Sequence, residues 1–511
     1  MILRNSHRLV FVLILLLALM HGGLYASFMP PWGLIDEEQH LHYIQYVTEH
    51  QAIPHVGQTT VSPEILESAR STGRWEHFHW PTPASRDPKD WGLEGQSYEG
   101  YQPPIYYLLL APLYGTLPGD ILTRLYALRW ASVGLSLLTL VFVYQIGRKL
   151  FPQQPVLPYL ICILVAVIPE RTASIARVNN DIALELFATA LIWVCTQAVL
   201  DGMSSRHSRL IGLLLGFSLL AKTAAAVLLV PIAVTFWANR RSSHVLRYIL
   251  WTAGISAALA APWMVRNLVV YGDPTGFSSF QKITNFAPPV VTWRAIGSAV
   301  WDLFRHFWLI WWKGARAGGN RLLTGFDVLL VITSAISLIG LGRSARLEHR
   351  GSPRLQVMLM YGLAVGACAA GVLASYLSGS VPVVQGRFFL PVLAPAVILF
   401  GWGLWRAPFG KIILLVTIVL LVVFDALSLF GNLLPYHYYW SIFASGHAPE
   451  PSAIVSLGQR WALFFPRLMA DKPQGLQPVL MWLVPCYAIL LGITGAAVWR
   501  LICAEGAGKW R

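Results

Sequence analysis

The chain has 511 residues, 56% of them hydrophobic and 12% charged, with a mean hydropathy of +0.56. That composition excludes a soluble globular protein of this length: apolar runs of roughly 17–25 residues, enough to cross a bilayer core, recur from end to end, so a polytopic all-α membrane protein is expected. The formal net charge of +14 would suggest nucleic acid in a soluble domain; here it reads as Lys and Arg collected in cytoplasmic loops, and nucleic acid is not an expected partner.

The predicted spans, in chain order, are Leu9–Phe28, Leu125–Ile146, Val156–Pro169, Asp181–Leu200, Leu210–Ala221, Thr223–Ala238, Val245–Val265, Phe326–Leu341, Leu355–Leu377, Phe389–Trp405, Ile412–Gly431 and Val479–Trp499, about twelve in all. The first follows Arg4 and Arg8 but is longer than a signal-peptide core and precedes no small-x-small cleavage site, so an uncleaved span is expected. Five cysteines, Cys162, Cys195, Cys368, Cys486 and Cys503, lie in or beside apolar runs and form no CxxC pair; they imply packing, with neither a disulfide frame nor a zinc site.

With both termini cytoplasmic, every short inner loop is basic: Arg148/Lys149, Arg206/Arg209, Arg240/Arg241/Arg247, Arg343/Arg346/Arg350/Arg354, Arg406/Lys411 and Arg500/Lys509/Arg511. This parity needs two local readings. "YQPPIYYLLLAPLYG" (101–115) is a short, aromatic, proline-bearing segment at the outer interface, and the long run around Lys222 is broken there into two helices. The outer side then receives 29–124, 271–325, a link near Gly386 and 432–478. In the second of these, "WDLFRHFWLIWWKGAR" fits an interfacial helix or a buried aromatic one. No internal repeat, low-complexity tract or soluble domain is found.

On that topology the polar residues at helix ends share the outer face. "PPWGLIDEEQHLHYIQYV" begins at Pro30; Asp36 and Gln39 fit a capping box, and Asp36, Glu37 and His40 fall on one helical face. Adjacent carboxylates there can hold a proton, a metal or a hydroxyl to be deprotonated. Arg177, Asn179, Asn180 and Asp181 precede the fourth span, and Lys222 lies between the fifth and sixth. Arg266 and Asn267 end the seventh span, and Gln385 and Arg387 open the tenth. Arg387, at a helix start on the outer side, opposes both the helix dipole and the charge rule and therefore needs an anionic partner. An ion-pair network with Asp36, Glu37 and Asp181 is one answer; an external anion such as phosphate is the other.

These stretches, with "YQPPIYYLLLAPLY", "RVNNDIALELFATALIW", "LLLGFSLLAKTAAAVLLVPIAV", "RNLVVYGDPTGF" and "GRFFLPVLAPAVILFGWGL", occur in the order seen in the GT-C superfamily of membrane glycosyltransferases. The chain resembles the bacterial relatives of the protein mannosyltransferase and aminoarabinose transferase group, including the branch with a "PDE-x-x-H" first loop. The resemblance implies a GT-C-like bundle with interfacial helices in a large first outer loop. It also implies a catalytic module over 1–410 and C-terminal helices over 411–511. The implied activity is inverting transfer of a sugar from a polyprenyl-phosphate carrier to a lipid, glycan or protein acceptor on the outer face, in a bacterial inner membrane.

By that resemblance Asp36 is the base, with Glu37 beside it and able to take the same place. Lys222, Arg266 and Arg387, then Arg177 and His40, are the candidates for the donor phosphate. Gln102 (where relatives carry Lys or His), Tyr106, Tyr107, Asn180 and Asp181 form the candidate substrate-contacting set, although Tyr106 and Tyr107 also fit interface anchors. A divalent metal at Asp36, Glu37 and His40 stays open, since some members of the superfamily use one and others do not. The rival reading is a transporter or flippase of an anionic or lipid-linked substrate. Its sites tend to lie at the midplane, in repeated halves, and neither feature is visible here.

Overall fold

The structure, a computed structural model, describes all residues except 1, 34–35, 76–84, 86, 94, 285, 310–320, 350, 431–433, 435–465, 467 and 508–511. Among the described residues the regular structure is helical, apart from one antiparallel bridge between Thr60 and Gln96.

Nine helices are long and apolar enough to cross a membrane: His7–Phe28, Ile121–Leu150, Asp181–Asp201, Val245–Tyr271, Gly325–Leu347, Pro353–Leu377, Gly386–Arg406, Gly410–Ser428 and Gln477–Glu505. A tenth is bent, Leu157–Ala166 and Pro169–Ile175 meeting at 63°, because Pro169 cannot continue the first helix. Against the expected count of about twelve, nine or ten spans are long and apolar enough by length and composition among the described residues. The shortfall lies around Lys222: Ser205–Ala221 has 17 residues, Lys222 is extended (φ −162°, ψ 140°), and a 3₁₀ turn Thr223–Leu228 leads into the ten-residue helix Leu229–Ala238. The break falls at the expected residue, and the two pieces run along Asp181–Asp201 and back, with Lys222 meeting Asp181 at one end and Asn239 meeting Ala198 near the other.

Burial orders the bundle. Asp181–Asp201 and Gly386–Arg406 are central, each 78% buried over its most apolar stretch, whereas Gln477–Glu505 at 17% is peripheral. The outward residues of the peripheral helices are apolar, among them Leu246, Val269 and Trp482, as a lipid-facing surface requires. Helices Arg321–Leu347 and Leu393–Arg406 approach backbone to backbone; a Cβ on Gly340 would lie 1.9 Å from the Gly403 carbonyl oxygen, so only glycine fits there. The five cysteines are free, with Cys486 and Cys503 exposed.

Between the first two spans the chain forms helices Glu37–His50, Pro63–Ser71 and Ile105–Thr116. The last is a twelve-residue apolar helix, as its prolines and aromatics suggest, and it packs on Glu37–His50 through stacked Tyr43 and Tyr107 rings 3.7 Å apart. The aromatic stretch after residue 300 enters helix Trp293–Trp308, where Phe307 meets Phe389 and Trp308 meets Phe400. This end of the helix is therefore the buried aromatic alternative. Residues 310–320 of that stretch, and most of the 432–478 segment, lie outside the described residues.

The C-terminal helices are tied to the first one. Asp425 accepts a hydrogen bond from Tyr25 Oη at 2.6 Å and pairs with His21 Nε2 at 2.7 Å. Lys472 Nζ donates to the Met29 carbonyl at 2.9 Å, bracing the turn that leads to Asp36.

Candidate active site at one end of the bundle

Asp36 stands just before helix Glu37–His50 with φ +68°, in the left-handed region, which Asp tolerates better than most residues but at some cost. In this conformation its side chain does not cap the helix, contrary to the capping-box expectation. Both oxygens are turned elsewhere: Oδ1 accepts from Tyr98 Oη at 2.8 Å, and Oδ2 pairs with Arg387 Nη2 at 3.0 Å.

Arg387 is presented by the 3₁₀ turn Gly386–Val392. That turn presses against helix Trp293–Trp308 so closely that a Cβ on Gly386 would sit 1.7 Å from the His306 carbonyl oxygen. The backbone N–H of Arg387 donates to Glu170 Oε1 at 3.2 Å. Its Nη1 lies 3.9 Å from Asp181 Oδ2, an ion pair too long to be a hydrogen bond. Asp181 in turn receives Lys222 Nζ at 2.6 Å. The helix break at Lys222 thus delivers a cation to a carboxylate at the start of a central helix, and Arg387 bridges that carboxylate to Asp36.

Around this chain of charges the polar groups are ordered by one another. Asn180 Nδ2 donates to Gln102 Oε1 (3.1 Å) and to the Ala221 carbonyl (3.0 Å), joining the first loop to the Lys222 break. Arg177 Nη2 donates to Ser174 Oγ at 3.1 Å. The buried Nε atoms of Arg177 and Arg387 have no hydrogen-bond partner among the described residues. Burial lowers Arg177 from its ordinary value, and the neighbouring Arg387 adds to this.

Burial alone would raise the Asp36 carboxyl, but Arg387, His40 and Tyr98 together hold it below its usual value. It is an ionised carboxylate at neutral pH.

Several expected site residues are placed differently. Glu37 is fully buried away from Asp36, held by Arg129 through Nε at 2.8 Å and Nη2 at 2.5 Å, while the same guanidinium donates to the carbonyls of Ala26, Met29 and Pro30. The expectation of Glu37 as a second acid beside the base is corrected: it neutralises a buried arginine. His40, a candidate for the donor phosphate, is a neutral ring at pH 7. Burial pushes its imidazole down to about 3, with Lys222 and Arg387 acting in the same direction against Asp36, and its Nδ1 bonds Tyr107 Oη at 2.8 Å.

Tyr107 is packed between Tyr43 and His40, and Tyr106 Oη bonds Ser132 Oγ and the Asn179 backbone N–H. Both are buried supports for the site and not surfaces open to a sugar. Among the described residues no group of three or more His, Cys, Asp and Glu side chains is arranged to hold a metal ion; Asp36, Glu37 and His40 are drawn to Arg387, Arg129 and Tyr107. Arg266 lies apart from the Asp36–Arg387–Asp181–Lys222 chain, flat over Trp263 and Tyr271. Its Nη1 donates to Asn267 Oδ1 at 2.9 Å, and its buried Nη2 has no partner among the described residues.

Sequence reasoning missed Glu99 and Arg129. Arg129 could have been flagged as a lone cation deep in an apolar run. Glu99, buried in the 3₁₀ turn Tyr98–Tyr101, carries no such signal, because the segment around it reads as a polar loop.

Comparison with known proteins agrees with this architecture. Residues 103–265 match the family model of dolichyl-phosphate-mannose-protein mannosyltransferases, a span that includes Arg177, Asp181 and Lys222 but neither Asp36 nor Arg387. No curated protein sequence matches the chain. Among solved structures, ArnT from Cupriavidus metallidurans bound to undecaprenyl phosphate is similar with a TM-score of 0.53 at 13% identity, over 98% of this chain and 77% of that one. The Archaeoglobus fulgidus oligosaccharyltransferase in complex with Zn and sulfate reaches a TM-score of 0.42 at 15% identity, over 86% of this chain and 53% of that one, too low a similarity to build on. Over nearly its whole length, then, the chain has the multi-pass helical membrane fold of ArnT, and its residues 103–265 match the mannosyltransferase family pattern.

Proposed function

We propose that the protein transfers a sugar, with inversion, from a polyprenyl-phosphate carrier to an acceptor hydroxyl at the outer face of a bacterial inner membrane, with Asp36 as the base. The observation that carries this reading is the Asp36–Arg387–Asp181–Lys222 chain, in which an ionised carboxylate and two cations from distant segments meet at one end of the bundle. Arg387, Lys222 and Arg177 bring three cations to this end of the bundle, and the buried Nε atoms of Arg177 and Arg387 are donors without an acceptor among the described residues. An anionic lipid phosphate supplies acceptor oxygens for such donors. ArnT from Cupriavidus metallidurans, which shares the fold, binds undecaprenyl phosphate, and this supports the same class of carrier here.

In the reaction Asp36 accepts the proton of the acceptor hydroxyl as that oxygen attacks the anomeric carbon. The sugar–phosphate bond breaks, and the lipid phosphate leaves with the bonding electrons. Arg387 has two tasks: it keeps Asp36 ionised and lies where charge grows on the departing phosphate. Lys222 adds a second cation and holds Asp181, and Arg266, with its free Nη2, is positioned by Trp263 and Tyr271 for a more distant part of the donor.

The test is Asp36→Asn in the full chain, following transfer from polyprenyl-phosphate sugars to membrane acceptors. Loss of a general base should lower the rate by about 10²–10⁴-fold, with insertion and donor-lipid binding retained. Full activity would remove Asp36 from the mechanism.

A further inference from the structure

Glu99 shares its 3₁₀ turn with Tyr98, whose hydroxyl holds Asp36. The residue is 6% exposed, and its Oε2 is buried with no hydrogen-bond partner among the described residues. The charged and titratable groups facing it come from four places: Asp36 and Tyr43 on the side of helix Glu37–His50, Tyr107 from Ile105–Thr116, Lys222 at the helix break, and Arg387. Helix Phe277–Thr284 covers the turn with Phe277 and Phe280 against Tyr98 and Tyr101, and its one charge, Lys282, is exposed.

The cations within reach are already engaged, Arg387 with Asp36 and Asp181, and Lys222 with Asp181. An ionised Glu99 would be a second negative charge beside Asp36 with a bare, buried oxygen, the costliest state for such a group. A protonated Glu99 is a neutral donor under the electrostatic influence of Lys222 and Arg387.

We propose that Glu99 works in its protonated form, donating its O–H to an oxygen of the lipid phosphate, so that cations and one neutral acid hold the anion together. This inference rests on the lipid-phosphate reading given above. Burial, reinforced by Asp36 and opposed by Lys222 and Arg387, moves the Glu99 carboxyl up to about 8, which keeps it protonated at neutral pH. A carboxyl O–H facing an anionic oxygen makes a short, charge-assisted hydrogen bond. The bound phosphate raises the carboxyl further, by like-charge repulsion of its ionised form.

The experiment measures undecaprenyl phosphate binding to the purified full chain from pH 6.5 to 9, for the unmodified protein and for Glu99→Gln, which keeps a donor but cannot ionise. Comparing the two at each pH cancels the phosphate's own titration. The affinity ratio should be flat near pH 6.5–7 and move about fivefold in favour of Glu99→Gln by pH 9, the effect there of a shift of about one pKa unit on binding. Binding with a ratio independent of pH overturns the role of Glu99 and leaves the lipid-phosphate reading intact. No binding by the unmodified protein at any pH overturns both.

A second measurement needs no variant. Near pH 8.5 the unmodified protein should take up about half a proton as the lipid binds, seen as a calorimetric enthalpy that depends on the buffer's ionisation heat. Binding without proton uptake overturns the inference.

Discussion

Replacing Arg387 with alanine removes the cation that Asp36 and Asp181 share. The pair geometry is close, with Nη2 3.0 Å from Asp36 Oδ2; two unit charges about 4 Å apart at an effective dielectric of about 20 interact by about 4 kcal/mol, or about three pKa units on the carboxyl. The side chains are 10% and 18% exposed, so the loss falls between that of a fully buried pair and a surface one, about 2–4 kcal/mol.

The sign of the pH dependence follows from Asp36. In the unmodified protein its carboxyl lies below the usual value, so its stabilisation is present above the unfolded carboxyl's value near pH 4 and is lost only as the pH falls further. In Arg387→Ala the unpaired carboxyl rises and takes a proton in milder acid. Thermal unfolding in one detergent should then show the variant several degrees less stable at pH 8, with the gap narrowing toward pH 5. Undecaprenyl phosphate affinity should drop in parallel. A gap equal at pH 5 and pH 8, with lipid affinity unchanged, would refute the shared-cation arrangement.

Lys222→Met should weaken undecaprenyl phosphate binding at least tenfold and loosen the first turn of Asp181–Asp201; an unchanged dissociation constant would leave Lys222 a purely structural partner of Asp181. Arg129→Met leaves Glu37 buried without its counterion and takes a donor from the carbonyls of Ala26, Met29 and Pro30, a cost of about 3–5 kcal/mol; the yield of folded protein should collapse and partly recover in Arg129→Met with Glu37→Gln, whereas normal yield of the single variant contradicts the pairing. His40, pushed by burial down to about 3, is neutral when folded, so its contribution to stability is present above about pH 6.5 and lost as the pH falls below it. His40→Gln should therefore blunt acid unfolding between about pH 6.5 and 4, and an identical acid profile would show that His40 is charged in the folded protein.

Much of this molecule is legible in its sequence because hydrophobic run length is a one-dimensional quantity. Nine of the predicted spans correspond to long helices, and the break falls at Lys222, since a cation between apolar runs cannot lie unpaired in hydrocarbon. The parity that places Asp36, Arg177, Asp181, Lys222, Arg266 and Arg387 at one end came from loop charge alone. Span count was less legible: the run around Lys222 has the hydropathy of two crossings, but the 3₁₀ turn Thr223–Leu228 leaves its second half an α-helix of only ten residues.

What the sequence by itself determined, then, is a multi-pass helical membrane protein with a break at Lys222, because both follow from where apolar runs start and stop. Partner choice was decided only by the tertiary structure. Asp36 and Glu37 are adjacent and chemically alike, yet the left-handed backbone at Asp36 sends its side chain to Arg387, 351 positions away, while the helix sends Glu37 to Arg129. Spacing on one helix says which side chains share a face; it does not say which cation that face will meet. Glu99 makes the same point, as a residue in an ordinary polar loop that becomes a buried acid only when the first loop folds against the ends of the central helices.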